Sequence, residues 1–192
     1  EPYLMALGIY SGAKVSLIVG AVLVGGLVSS LTAGLLCDGI GRKKTIVLSS
    51  AMFLAAIPVV CLSVENFPVL FFGRVLQGMS AGYMAVAMPM YLTETLPPEI
   101  RGRGTGVFQT CLGIGLVVAA GAGCLVASVM GASDKPGMTA ELLAAAWRAN
   151  FWWTMAPVAV LFVGSLFLKE SPVWQGKVQK FVKFGRFGKS GS

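Results

Sequence analysis

Five stretches of this chain are almost devoid of charge: residues 15–36, 45–64, 69–91, 105–130 and 150–168. Each is close to the ~20 residues that an α-helix needs to cross the hydrocarbon core of a bilayer. They show neither the period-2 alternation nor the ~10-residue segments of a membrane barrel. A backbone in lipid must pair its polar groups within its own segment, so each stretch is expected to be a helix. The rest of the chain agrees, with only 12% of residues charged. A soluble domain carries roughly 25%. The expected fold class is therefore an all-α membrane protein, a polytopic bundle of about five transmembrane helices. Residues 1–14 form an outer segment, 15–168 the bundle and 169–192 a basic tail.

Five spans alternate sides, and the charges choose the orientation. The breaks at 37–44 and 93–104, together with the tail from Lys169, fall on one side. They hold Arg42, Lys43, Lys44, Arg101, Arg103, Lys169, Lys177, Lys180, Lys183, Arg186 and Lys189. The opposite side holds Lys14, Lys135 and Arg148, and Arg74 lies inside a span. By the positive-inside rule the first set is cytoplasmic. The net charge of +7 then reads as a topology signal, and no nucleic-acid partner is expected. Trp147, Trp152 and Trp153 are expected at the outer interface of the last span, where amphipathic rings are favoured.

Several chemistries are disfavoured at once. The chain has no histidine, the commonest general base and metal ligand. No nucleophile–base set or acid pair lies at membrane depth, so an enzyme is not expected. Cys37, Cys61, Cys111 and Cys124 lack ligand-like spacing and read as small packing residues. No metal or cofactor is implied.

Within the first apolar stretch Ala21, Gly25, Ser29 and Ala33 recur every fourth residue. The third stretch has Gly78, Ala81, Gly82 and Ala85, and the fourth Gly106, Thr110, Gly113 and Gly121. Such stripes let helices approach closely where lipid gives no hydrophobic drive between them. Polar groups inside the spans are rarer. Arg74 is either paired beside an aqueous cavity or snorkelling to the outer interface. Gln109 can donate and accept, which suits a neutral hydroxylated ligand and equally an interhelical hydrogen bond. Between the first two spans the break "CDGIGRKK" places Asp38 beside Arg42, Lys43 and Lys44. Gly39 and Gly41 are expected to allow the φ > 0 conformations of a tight turn there. Glu94, Glu99, Arg101, Arg103 and Glu170 lie near the same edge. They either solvate it or form latches made in one conformational state.

Three motifs now resemble those of a known family. "DGIGRK" (38–43) resembles the loop motif between helices two and three of the major facilitator superfamily. "GRVLQGMSAGYMAVAMPMYLTETLPPEIRGRGTGVFQ" (73–109) is similar to the long signature of its sugar porter family, through Gly73, Arg74, Gly78, Gly82, Tyr91, Glu94, the "PPEIRG" turn and Gln109. "KESPVW" (169–174) resembles the Pro-Glu-Ser-Pro-Arg motif that ends helix six, with Lys169 in place of the first proline and Val173 in place of the arginine. The resemblance runs from about Lys14 to Trp174. It implies that the spans correspond to helices two to six of a twelve-helix fold. Helix one and the second six-helix half would then lie outside this chain, which would be a fragment.

The resemblance also implies roles. Asp38, Gly41, Arg42, Lys43, Glu94, Arg101 and Glu170 would form a cytoplasmic gate, closed in the outward-open state and broken in the inward-open one. Gln109 would hydrogen-bond sugar hydroxyls. Arg74 would pair with a helix-one aspartate in proton-coupled relatives. The implied function is hexose transport by alternating access in a multi-pass protein of the plasma membrane. Its partners would be a sugar, the lipid bilayer, the second half of the transporter and, in a symporter, protons. The alternatives are transport of an inositol, polyol or organic ion, or a non-transporting sensor or truncated product. The tail beyond Trp174 has no counterpart in the family pattern. It reads as a membrane-surface segment or the scar of a truncated frame, and Gly185 and Gly188 argue against a stable helix there.

Overall fold

A computed structural model describes residues 11–63, 66–130 and 140–187 of the chain. Lys135, Lys189, Gly188 and most of the expected outer segment 1–14 lie outside those residues. Among the described residues seven helices follow one another: α1 (Gly12–Ile40), α2 (Arg42–Leu62), α3 (Phe67–Thr95), α4 (Pro98–Met130), α5 (Ala140–Trp152), α6 (Met155–Phe167) and α7 (Pro172–Phe187). Five of the described segments are long and apolar enough to cross a membrane: α1, α2, α3, Pro98–Val126 of α4, and Ala144–Phe167, which joins α5 to α6.

The helices run further than the apolar stretches, and the expected breaks shrink. The break at 37–44 contracts to one residue, Gly41, with φ 104°. Gly39 is helical, so the turn that we expected from two glycines uses one. The break at 93–104 contracts to Leu96 and Pro97, because the Arg101–Gly106 stretch continues the first turns of α4. Charged residues at the ends of spans stay helical because they snorkel into the interface. The tail also departs from expectation. A single helix runs through Gly185 to Phe187.

Between α5 and α6 the last span is interrupted at Trp153 and Thr154. Pro157 explains the break. It lacks the N–H that would bond the carbonyl of Trp153, and its ring crowds that oxygen. Thr154 N–H turns to the carbonyl of Phe151 instead, at 3.1 Å.

The bundle centres on α3, which packs most extensively on α1 and then on α2, while α2 also meets α6. The α1–α3 contact is a seam of small residues. Ala21, Gly25, Ser29 and Ala33 are all buried. A side chain on Gly25 would collide with the carbonyl of Val75, one on Gly78 with the carbonyl of Val22, and one on Gly82 with the Ser29 hydroxyl. Those at Gly25 and Gly78 are backbone-to-backbone approaches that only glycine permits. α4 differs from the other spans. None of its apolar window is buried, and nothing lies within 4 Å of a Cβ built on Gly106, Gly113 or Gly121.

Candidate functional site

The chain reversals at Gly41 and at 168–171 bring together residues from distant parts of the sequence. Gly41 is held there by more than its φ: an added Cβ would sit 2.6 Å from Oε2 of Glu170. Arg42, the first residue of α2, turns back under the end of α1 and is 2% exposed. Its Nη1 donates to the Cys37 carbonyl at 3.1 Å and pairs with Asp38 Oδ1 at 2.9 Å. Its Nε and Nη2 both reach Glu94 Oε1 on α3, at 3.1 and 2.8 Å. A buried guanidinium is tolerated where its donors are met in this way.

Glu94 holds a second element. Its Oε2 accepts a hydrogen bond from the hydroxyl of Ser171. Ser171 precedes Pro172 and α7, and its Oγ accepts from Trp174 N–H at 3.4 Å. Ser171 is thus an N-cap with proline at the first helical position, a favoured start for a helix. Glu170 in turn caps α2: its Oε1 accepts from the backbone N–H of Lys43 at 3.0 Å and of Ser171 at 3.1 Å. A carboxylate there meets the positive end of the α2 dipole.

Carbonyls at the other helix ends are met from outside their own helices. Lys43 Nζ donates to the Leu166 carbonyl of α6 at 2.9 Å, and Trp174 Nε1 to the Asp38 carbonyl of α1 at 2.9 Å. Tyr91 Oη donates to the Lys169 carbonyl at 2.9 Å. Lys177 approaches Asp38 Oδ1 at 3.5 Å, with both side chains largely exposed. One corner of the molecule therefore ties α1, α2, α3, α6 and α7 through bonds that end or start helices. The polar contacts lie beside a small apolar cluster in which Cys37, Ile46 and Ala87 are buried and Tyr91 and Leu168 pack against them.

Arg101 and Arg103 lie near this corner at the start of α4, exposed and in no ion pair among the described residues. Gln109 is likewise exposed on α4. Arg74 occupies a second site. It is 9% exposed, its guanidinium carbon 4.8 Å from the Phe151 ring centre and 5.3 Å from that of Trp147. Nη1 lies 3.5 Å from Gln77 Oε1. A cavity of about 300 Å³ opens beside it, lined by Arg74, Trp147, Asn150 and Phe151. Of the two readings left open by sequence, Arg74 takes the buried one, beside a cavity. Trp147 is 2% exposed and stacks on that arginine, whereas Trp152 and Trp153 are exposed. The aromatic pair stabilises the cation through its ring faces.

Ser171, Trp174, Trp147 and Phe151 were not singled out as site residues by sequence. Ser-Pro ahead of an aromatic residue is an N-cap signal and could have shown where α7 starts. Nothing in the sequence signals that Trp147 faces Arg74.

Known proteins place this geometry. The chain is 33% identical over 169 residues to plastidic glucose transporter 4 of Arabidopsis thaliana, covering 86% of this chain and 28% of that protein. It is 29% identical over 167 residues to the galactose-proton symporter of Escherichia coli, covering 86% and 32%. Among solved structures, the proton:xylose symporter XylE bound to 6-bromo-6-deoxy-D-glucose superposes with a TM-score of 0.74 at 18% identity, over 90% of this chain and 39% of that one. The inward open conformation of XylE from E. coli gives 0.70 at 18% identity, over 93% and 48%. The chain thus spans about a third of the length of the curated relatives it matches. These likenesses give it the fold of the major facilitator superfamily. A sequence model described as sugar (and other) transporter matches residues 7–183, and this chain belongs to that family of transporters.

Proposed function

We propose that this chain supplies membrane helices of a hexose transporter that works by alternating access. The observation that carries the reading is the polar corner around Arg42. It joins five helices through contacts that can be broken and remade, as a gate in a rocking transporter requires. Asp38, Gly41, Arg42, Lys43, Glu94, Arg101 and Glu170 would form that gate on the cytoplasmic side of the plasma membrane. Arg101, exposed in this chain, would find its partner in the second half of the transporter. Gln109 and the unpacked face of α4 would line the sugar path against that half. Its amide offers a donor and an acceptor to adjacent hydroxyls. Arg74, beside its cavity, would serve proton coupling.

Relatives named for glucose, galactose, xylose and myo-inositol make a small polyhydroxylated substrate the common denominator. An inositol or polyol is therefore the second reading. Uptake of radiolabelled glucose by carrier-deficient cells expressing the chain separates the two, with surface amount measured in parallel. Competition by unlabelled hexoses but not by inositol supports the hexose reading; the reverse supports the inositol one. Correct insertion without uptake would assign transport to a longer polypeptide.

A further inference from the structure

α7 is built unlike the spans that precede it. From Ser171 onward the sequence carries Lys177, Lys180, Lys183, Arg186 and Lys189 and not one acid. Helical periodicity over Pro172–Phe187 sorts its positions into two sides. Positions 175, 179, 180, 183 and 186 are all Gln, Lys or Arg and share one side. Positions 173, 174, 178, 181, 182 and 184 are all Val, Trp or Phe and share the other, with Lys177 among them, while Phe187 falls on the polar side.

Among the described residues of that apolar side, Trp174 is half-buried and Val173 and Val178 are exposed. α7 makes slight contact with the bundle, mainly on α3. Val173 and Val178 are 46% and 39% exposed. Its first turn is nevertheless pinned. Trp174 and Lys177 hold Asp38 at the end of α1, itself a candidate membrane span. The preceding span ends at Phe167, five positions before α7 begins. An amphipathic helix is thus tethered at the ends of two candidate membrane spans, largely apolar on one side and acid-free throughout.

We propose that α7 is a membrane-surface helix that binds anionic lipid headgroups. Its apolar side meets the acyl boundary, and positions 180, 183 and 186 supply the charge that phosphate and carboxylate headgroups complement. Gly176 and Gly185 lower its intrinsic helicity, so the surface also orders the helix that binds it. The inference concerns the bilayer rather than the transported solute and stands whichever sugar is carried.

The test is hydrogen–deuterium exchange of residues 172–187 in the full chain. Nanodiscs of phosphatidylcholine alone are compared with nanodiscs that also contain phosphatidylserine. A cation near an anionic surface adds roughly a fivefold preference, so three cations predict exchange slower by roughly a hundredfold in the anionic discs. High salt should erase the difference, and so should the triple variant K180Q/K183Q/R186Q, with exchange in the spans unchanged. Equal exchange in both discs overturns the proposal. Slow exchange in both, indifferent to salt, shows α7 held by protein contacts and overturns it too. If inorganic phosphate protects α7 equally in neutral discs, the site binds a soluble anion and the membrane proposal fails. The salt titration on the unmodified chain decides the matter even if the triple variant does not fold.

Discussion

Gly41 shows how much one residue can settle. Its backbone lies at φ 104°, and the Glu170 carboxylate rests where a side chain would begin. Any replacement meets two penalties, one in the backbone and one in the carboxylate it displaces from the N-terminus of α2. Gly41→Ala is expected to cost about 1–3 kcal/mol, read as a lower Tm of the purified chain in detergent. An unchanged Tm would show that the turn relaxes freely. Arg42 makes the complementary case. Its side chain meets Cys37, Asp38 and Glu94 at once, through three nitrogens. A lysine keeps the charge but cannot reach all three, because it lacks the planar fork. Arg42→Lys should therefore lower Tm nearly as far as Arg42→Gln. A lysine variant as stable as the parent would mean that charge alone holds the corner. Sequence pointed to Asp38, Arg42, Glu94 and Glu170 through their motifs. It could not show that Glu170 caps α2, because capping depends on which helix ends meet in space.

At the scale of elements, the two kinds of small-residue stripe separate. Gly78 and Gly82 of the α3 stripe face the stripe on α1, while Ala81 and Ala85 are exposed, and a methyl group at Gly78 would enter the backbone of Val22. The stripe on α4 faces open space. Gly78→Ala should destabilise the bundle by about 1–3 kcal/mol through overpacking. Gly113→Ala in the same preparation should be neutral or slightly stabilising, since alanine favours a helix more than glycine does. Equal effects on Tm would contradict the assignment of which stripe is packed. Apolar length made all five spans legible in the sequence, because the ~20-residue requirement of a bilayer leaves little choice. Helix ends were less legible. Charged residues such as Arg101 and Arg103 read as loop yet lie in the first turns of α4. The apolar count likewise gave no sign of the break at Thr154, whose cause, Pro157, lies three residues further on.

The molecule as a whole divides into a packed part and an unpacked one. α1, α2, α3 and α6 enclose the buried residues of the charged corner, while α4 presents Gln109, Cys111 and Cys124 outward. This predicts a simple pattern of thiol reactivity in detergent. Cys111 and Cys124 are exposed and should take up a maleimide readily, whereas Cys37 and Cys61 are buried and should resist until the chain unfolds. Labelling of all four at one rate would mean that the bundle is not formed. The unpacked face is also where the proposed sugar path lies. Sequence singled out Gln109 for its chemistry alone, and it lies exposed on a helix that packs only slightly on α3 and α5.

The most direct measurement grafts the chain into a working relative. In the E. coli galactose-proton symporter, the aligned segment of 167 residues is replaced by this one. Uptake of labelled galactose is then followed in a strain without sugar carriers, at matched surface amounts. The account predicts restored uptake that falls at least about tenfold, as loss of a buried sugar hydrogen bond requires, when Gln109 is changed to alanine. A chimera that reaches the surface and carries no sugar, or one that transports equally well after Gln109→Ala, would contradict it.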